Sequence, residues 1–297
     1  MKRILIASDI HRVNEKDRLE EVLGILPKGA FDAALIGGDL VGLAAPNRDM
    51  PEEERKRNWT PDFSVREFDQ RLKAVLQPGT KAYYTYGSHD LREAAGRTSF
   101  LAGPVDLGEC WLYGISFAEM KFAREEQRAE DHRGHGYDGI DPGCAEEAAA
   151  RFLKWAHGLK DHKPILVMSH VPLHAHRQDN LGAQIWTEAL NSAGKKHDIL
   201  FFFGHNHTAE RKTALDRQFY LAPAGEKLPI QSAERECARE IPLNFTYANA
   251  GYIVHGCCSS VTVEEDRIIL RRHAVQKEQE AFGDTGIPSP WIIQRQF

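Results

Sequence analysis

The stretch RILIASDIH, residues 3–11, joins a short apolar run to an aspartate and a histidine that lie two positions apart. Near-continuous apolar runs of this length are typical of strands covered on both faces, as in a mostly parallel sheet. An i, i+2 spacing puts two side chains on the same side of an extended chain. Asp9 and His11 therefore have the spacing needed to hold one metal ion between them.

The same design recurs further along the chain. The apolar runs AALIGG (33–38), PILVMS (164–169) and ILFFFG (199–204) also predict buried strands, and the aromatic run YYTYG (83–87) ends in glycine. A single strand followed by a polar residue is more often a turn or a hydrogen-bonded core position. Five strands in this chain are each followed by a metal-capable side chain, and the strand ends of open α/β sheets are where ligands bind. Together they indicate a dinuclear metal site. The metal-capable side chains that follow these four runs are Asp39, then Ser88, His89 and Asp90, then His170 and His174, then His205 and His207.

The ligand types restrict the metal. A mixture of carboxylates and imidazoles suits manganese, iron or zinc, whereas magnesium and calcium do not normally recruit so many histidines. We expect two divalent transition-metal ions, with manganese first and iron or zinc as alternatives. A carboxylate bridges two cations most readily, and Asp39 stands alone after its glycine pair. Asp39 is therefore the candidate bridging ligand.

Helical patterns alternate with the apolar runs, which predicts a layered α/β fold. After residue 208 the pattern changes to short runs that are typical of antiparallel strands, and these predict a second sheet. No linker separates this part, so we expect a single domain over residues 1–297. The predicted helices cover residues 15–26, a segment that begins at the capping pair Ser64 and Glu67 and continues to Leu76, residues 145–157, and residues 183–193.

Two long segments lack a secondary-structure pattern. They span residues 44–62 and 121–143, and both are rich in charged residues. Long loops in a folded domain are often functional lids. A solvent-exposed surface loop without a function is an equally good interpretation of each segment.

Composition excludes several classes of protein. Of the 297 residues, 42% are hydrophobic and 27% charged, which is ordinary for a globular protein. The net charge of −5 and the lack of a basic stripe make nucleic acid an unfavoured partner. The first apolar run is too short for a signal peptide or a membrane span. Five cysteines without a C-x-x-C motif fit a reducing compartment, so we expect a cytoplasmic protein with no membrane contact.

The order of the motifs resembles that of the calcineurin-like metallophosphoesterase superfamily. That family carries D-x-H, G-D, G-N-H-[DE], a histidine after a strand and G-H-x-H, and the similarity runs from Asp9 to His207. The resemblance implies a layered sandwich of two mixed β-sheets flanked by helices (α/β/β/α). It specifies the superfamily well and the substrate poorly.

The resemblance also implies a role for each motif residue. Asp9, His11 and His207 would hold one ion, and Asp39 would bridge to a second ion held by the remaining metal ligands. His89 would protonate the leaving oxygen or steady the developing charge, with Asp90 orienting it. The remaining ligands of the second ion would be Ser88, His170 and His205.

Ser88 departs from the family pattern, which has asparagine there. A serine hydroxyl sits on a shorter arm than an amide oxygen. Three consequences follow as alternatives: a weaker second site, a different preferred metal, or a water in place of the amide. Because the other ligands are intact, we expect a working but looser second site.

The implied activity is hydrolysis of a phosphomonoester or phosphodiester, a small molecule such as a nucleotide, by attack of a metal-bridging hydroxide. Beyond His170, the side chains of His174 and Arg177 are candidates for binding the substrate, although Arg177 could equally pair with Asp179. A non-catalytic scaffold or binding protein on the same fold is the alternative, and it rests on Ser88 alone. A zinc amidohydrolase would want H-x-H near the start, whereas this chain has D-x-H. The oligomeric state is not readable from the sequence.

Overall fold

Two six-stranded β-sheets pack face to face, and α-helices cover the outer face of each. The structure is a computed structural model, and the side chains of residues 61–64 and 118 are outside the description. It describes residues 1–11, 18–40, 61–88, 90, 101, 103–120, 145–174, 182–207, 214–216, 219–231, 238–275 and 289–297.

The first sheet has the strand order β14-β13-β12-β1-β2-β3. Strands β1, β2 and β3 run parallel to one another, and β12, β13 and β14 extend the sheet by antiparallel pairing. Its strands span β1 (Lys2–Ala7), β2 (Phe31–Ile36), β3 (Leu76–Tyr84), β12 (Cys257–Val263), β13 (Arg267–Ala274) and β14 (Trp291–Gln294).

The second sheet has the strand order β4-β5-β6-β7-β11-β8. Its central strands β5, β6, β7 and β11 are parallel, and the edge strands β4 and β8 are antiparallel to their neighbours. Strands β9 (Lys227–Gln231) and β10 (Ala238–Pro242) form a separate hairpin sheet. The second sheet contains β4 (Val105–Asp106), β5 (Trp111–Ile115), β6 (Ile165–Ser169), β7 (Ile199–Phe203), β8 (Leu221–Ala222) and β11 (Thr246–Asn249).

Side-chain alternation explains why the strands read as continuous apolar runs. In β1, Ile4 and Ile6 face the second sheet, whereas Leu5 and Ala7 face the helices. Both faces are therefore dry, and a polar residue at any of these positions would lose its hydration. The helices on the first sheet are α1 (Leu19–Gly24) and α2 (Pro61–Leu72), and those on the second sheet are α3 (Ala145–Gly158) and α4 (Ala183–Ala193). Within the described ranges, no helix is long and apolar enough to span a bilayer.

The layered α/β/β/α fold is confirmed, but the assignment of strands to sheets was wrong in two respects. The N-terminal apolar runs do not share one sheet, because β1 and β2 lie in the first sheet and β6 and β7 in the second. The C-terminal strands do not form one common sheet. Strands β12, β13 and β14 extend the first sheet, β8 and β11 belong to the second one, where β11 pairs parallel to β7, and β9 and β10 form the separate hairpin.

The predicted helices are present with shifted ends. Helix α2 begins at Pro61, before the predicted capping pair, and it ends at Leu72, because Leu76 already starts β3. Helix α1 is described only from Leu19 onward, and α3 and α4 match their predicted ranges closely. The lid predictions for residues 44–62 and 121–143 fall outside the described residues, except that Pro61 and Asp62 begin helix α2 and are not part of a loop. A single domain over residues 1–297 stays a prediction.

Candidate metal centre

The carboxyl ends of strands from both sheets meet at one edge of the sandwich. The imidazole Nδ1 of His170, which follows β6, lies 2.7 Å from the backbone oxygen of Gly37, which follows β2. The backbone N–H of His205, which follows β7, donates to both carboxylate oxygens of Asp9 at 3.2 and 3.0 Å. These hydrogen bonds join the two sheets at the point where the motif residues emerge.

A first group of possible ligands consists of Asp9, His11 and His207. One donor atom from each lies within 4.8 Å of the others, and all three residues are buried. Oδ1 of Asp9 is 3.4 Å from Nε2 of His11 and 3.7 Å from Nε2 of His207. One carboxylate and two imidazoles at these separations can converge on one transition-metal ion.

A second group consists of Asp39, His170 and His205, which are also buried and also within 4.8 Å of one another. Nε2 of His170 lies 3.1 Å from Oδ2 of Asp39 and 2.9 Å from Nδ1 of His205. Oδ2 of Asp39 is also 3.6 Å from Nε2 of His11 in the first group. Asp39 therefore lies between the two groups, where a bridging carboxylate would be.

Ser88 lies at the second group. Its Oγ is 3.1 Å from Oδ2 of Asp39 and 3.5 Å from Nδ1 of His205. The shorter side chain thus still reaches the carboxylate and the imidazole that it would share an ion with. The structure brings together all seven predicted metal ligands, and their role in holding metal stays a prediction.

Four of these residues have a left-handed backbone. The φ angles are 54° at Asp9, 47° at His11, 51° at Asp39 and 75° at His205. A non-glycine residue in this region costs on the order of 1–3 kcal/mol, and such residues cluster at functional sites. Their concentration here indicates that the fold holds the side chains in place for a purpose other than stability.

The glycines of the motifs leave room for the ligands. A Cβ on Gly87 would collide with the backbone nitrogen and Oδ1 of Asp39, and a Cβ on Gly204 would collide with Oδ2 of Asp9 and Oγ of Ser8. Close backbone approach of this kind admits only glycine. The glycines preceding Ser88 and His205 are therefore part of the site.

The protonation of the cluster suits cation binding. Burial raises the pKa of Asp9, but the imidazoles of His170, His11 and His207 outweigh it and hold that pKa below its usual value. Burial lowers the pKa of His207 to about 3, so its ring is neutral at pH 7. Burial also opposes charge on His170, but the carboxylates of Asp39 and Asp9 raise its pKa to about 9. A proton there occupies the nitrogen that a metal cation would take.

The second ring nitrogen of His170 fixes its orientation. Nδ1–H donates to the oxygen of Gly37, so Nε2 is the nitrogen directed at Asp39 and His205, and its lone pair would face a cation that displaces the proton. Metal-binding histidines usually donate their other N–H in this way. The residues present therefore fit a pair of transition-metal ions in ligand type, protonation and orientation.

Asp90 supports the site through the backbone. Its buried carboxylate accepts the N–H groups of Asp39, Leu40 and Gly87 at 2.9, 2.9 and 2.8 Å. These bonds tie the loop that carries Asp39 to the loop that carries Ser88. Asp90 was predicted to orient His89, which lies outside the described residues, so that pairing stays a prediction.

His174 does not lie where a substrate contact needs it. Its side chain is fully buried, with Nε2 2.8 Å from Oδ1 of Asp216 and Nδ1 2.8 Å from the hydroxyl of Tyr247. Both ring nitrogens are engaged inside the protein, which argues against the predicted substrate-binding role. Arg177, the other predicted substrate residue, is outside the described residues.

The sequence prediction missed a buried network behind the G-H-x-H loop. Asn206, between the two histidines of that motif, donates to Oδ1 of Asp216 at 2.9 Å, the same oxygen that receives His174. Nε2 of His255 lies 2.8 Å from the backbone oxygen of His207. Asn206 lies within the G-H-x-H motif, so the sequence holds a local signal for it. Asp216 and His255 have no local sequence signal.

Comparison with known proteins agrees with this geometry. Residues 2–209 match the model of the calcineurin-like phosphoesterase family. A solved structure, a dimetal phosphatase from Danio rerio, is similar with a TM-score of 0.57 and 10% identity, over 92% of this chain and 96% of that chain. At that identity the similarity concerns the fold. No curated protein matches the sequence. Because the matched model spans more than half of the chain, this protein belongs to the calcineurin-like phosphoesterase family.

Proposed function

We propose that this protein is a dinuclear metal-dependent hydrolase of phosphoric esters. One observation carries the proposal. Two groups of buried carboxylates and imidazoles face each other at one edge of the sandwich, and Asp39 lies between them. Membership of the calcineurin-like phosphoesterase family supports the same reaction class.

The chain's own residues divide the work of such a site. Asp9, His11 and His207 would hold one ion, and His170 and His205 would hold the other, with Asp39 shared between them. Two divalent ions, when bound there, supply Lewis acidity that lowers the pKa of a water and neutralises charge on the phosphate oxygens. The buried ligands exclude bulk water from these charges, which strengthens their electrostatic effect.

The leaving group requires a proton donor, and we assign this role to His89. His89 directly follows Ser88 in the chain, and Ser88 lies at the second ligand group. An imidazole has the pKa best suited to proton transfer near neutral pH. Asp90 is the partner that positions the loop carrying this histidine.

The proposed substrate is a small phosphomonoester or phosphodiester, such as a nucleotide. The net charge of −5 disfavours a nucleic-acid polymer as the substrate. Manganese is the proposed metal, because mixed oxygen and nitrogen ligands suit it, and iron and zinc are the alternatives. The cysteine pattern supports a cytoplasmic location for the enzyme.

The test is hydrolysis of an aryl phosphomonoester and an aryl phosphodiester by metal-stripped protein resupplied with manganese. We expect manganese-dependent turnover that falls at least about a hundredfold in Asp39→Asn, because the shared ligand is lost. Asp266→Asn, an exposed aspartate in the β12–β13 turn, is the matched control and should keep full activity. Metal binding without turnover of either ester would contradict the proposal and favour the scaffold alternative.

The side chain at position 88 is expected to determine the affinity of the second metal-binding step. Its hydroxyl lies within 3.5 Å of two neighbouring ligands, but a neutral hydroxyl is a poorer ligand than an amide oxygen. We therefore expect Ser88→Asn to tighten the weaker of two metal-binding steps in a calorimetric titration and to leave the tighter step unchanged. Two equally tight steps in the unmodified protein would refute the looser second site.

A further inference from the structure

A second concave site lies on the helix-covered side of the first sheet, where the helices leave part of the sheet open. It has a volume of about 300 Å³ and is lined by residues from the starts of β1 and β2 and from β12 and β13. The metal centre is at the opposite end of β1. Asp9 is six positions after Arg3, which corresponds to about 20 Å along a strand.

Two arginines line this pocket, Arg3 from β1 and Arg271 from β13, and both are exposed. Among the described residues, neither guanidinium has a hydrogen bond or a salt bridge to a carboxylate. The backbone of Arg3 is bonded to Asp32, but its side chain is not. Glu264 also lines the pocket, and it is held by Arg267, whose Nε is 2.6 Å from its carboxylate. The pocket therefore carries excess positive charge.

The strand register brings the arginines to one place. Arg3 pairs with Thr262 on β12, and Arg271 pairs with Ser260 on the other side of the same strand. Two strand spacings and a two-residue offset put their Cα atoms about 12 Å apart. Because arginine side chains are long, both guanidinium groups can reach a phosphate group that lies between them.

Hydroxyl groups lie between the two arginines. Ser260 and Thr262 are on β12 and line the pocket, and Thr262 is only 6% exposed. The Thr262 side chain makes no hydrogen bond to another described residue, and because it lines the pocket its hydroxyl is open to a molecule bound there. Oγ of Ser260 lies 2.8 Å from Nε2 of His273, and burial together with the charge of Arg271 lowers the pKa of that histidine.

We propose that this pocket binds the phosphate group of a small molecule, at a site separate from the metal centre. Guanidinium groups recognise phosphate oxygens with paired hydrogen bonds, and the hydroxyls of Ser260 and Thr262 supply further donors. Pro27, which is exposed, also lines the pocket and can pack against an apolar or ring-shaped remainder of the ligand. Inorganic phosphate and an organic phosphate are the two sources of this group.

Calorimetric titration of the chelated, full-length protein with inorganic phosphate and with adenosine monophosphate tests the proposal. We expect one binding event that weakens at least about tenfold in Arg271→Ala and several-fold in Thr262→Val. Asp39→Asn should bind as the unmodified protein does, because the metal centre is not involved. Arg239→Ala, which removes an exposed arginine of β10, is the matched control.

The outcomes separate the alternatives. Tighter binding of adenosine monophosphate identifies an organic phosphate as the ligand, and equal binding identifies inorganic phosphate. No binding at millimolar ligand, or binding that Arg271→Ala leaves unchanged, overturns the proposal. Binding that is lost in Asp39→Asn also overturns it, because the anion would then sit at the metal centre. Thermal melting shows that each variant is folded, and Arg271→Ala should keep the hydrolase activity.

Discussion

Replacing Asp90 by asparagine tests whether the backbone hydrogen bonds of this carboxylate hold the metal centre together. Oδ2 accepts the N–H groups of Asp39 and Gly87, and Oδ1 accepts the N–H of Leu40. An amide of the same shape can keep two of these bonds with its oxygen. Its NH₂ group then faces the third N–H, so one charge-assisted bond is lost and two donors oppose each other.

A hydrogen bond to a charged group contributes about 1.5–3 kcal/mol, and a buried donor left unsatisfied costs about 1–3 kcal/mol. The two losses concern the same N–H of Leu40, so we expect Asp90→Asn to lower the free energy of unfolding by about 2 kcal/mol. Urea unfolding of the chelated protein measures this value. Since the loop of Asp39 loosens, metal affinity should fall about 10–100-fold, as when outer partners of metal ligands are removed.

Two results would refute this reasoning about Asp90. Unchanged stability of the chelated variant would mean that the hydrogen bond from the N–H of Leu40 contributes nothing. Unchanged stability and metal affinity combined with lost turnover would assign Asp90 to the orientation of His89, which is the role predicted from the sequence. Asp266→Asn, which changes an exposed aspartate in a turn, controls for the loss of one negative charge.

Three other predictions follow from the described contacts. Gly204→Ala should displace Asp9 and abolish binding of one metal ion in a calorimetric titration, whereas Gly24→Ala, with open space around its Cβ, should bind metal normally. Asp216→Ala should lower the unfolding free energy by about 3–5 kcal/mol in urea, because it removes the charged acceptor of two buried donors; a loss under 1 kcal/mol would contradict the network. Burial lowers the pKa of His197 below 6.5, so its contribution to stability is present above pH 6.5 and is lost as the pH falls below that value. Chelated protein should therefore melt at lower temperature at pH 5 than at pH 7, and His197→Gln should reduce that difference; an equal difference in the variant would refute this assignment.

The ligand groups could be predicted because their signal is local. An apolar run ends, and a carboxylate or imidazole follows within a few residues, so the strand end and its ligand are adjacent in sequence. Asp9 and Asp39 are examples, and both lie where the sequence placed them, at one edge of parallel strands. Local spacing carries this information because strand geometry is nearly invariant.

The sheet membership could not be predicted for a related physical reason. A strand covered on both faces has the same composition whether its second cover is a helix or another sheet. Strands β2 and β6 are equally apolar, yet they lie in different sheets. Strand β11 was assigned to an antiparallel set, although it pairs parallel to β7, because nothing within its four residues specifies a partner.

The role of His174 shows where a motif ceases to be informative. It follows the strand that ends at Ser169, as His170 does, and the sequence predicted a metal ligand at His170 and a substrate contact at His174. Only His170 has its ring nitrogen directed at Asp39. His174 instead meets Asp216, which is 42 positions away, and the hydroxyl of Tyr247, which is 73 positions away. Long-range partners decide which histidine joins the candidate ligand group and which one is held inside the protein.

The left-handed backbone at four ligand positions gives the site a property that the sequence does not show. Aspartate and histidine tolerate positive φ better than most residues, so the motif permits this conformation without revealing it. The surrounding hydrogen bonds hold it, since the N–H of Asp9 donates to Gly38 at 3.1 Å and the N–H of His11 donates to Asp39 at 3.0 Å. The first-sheet loops are thus braced against each other. A site held in this way keeps its carboxylate and imidazole atoms in place, so binding of a cation there would have little ordering entropy to overcome.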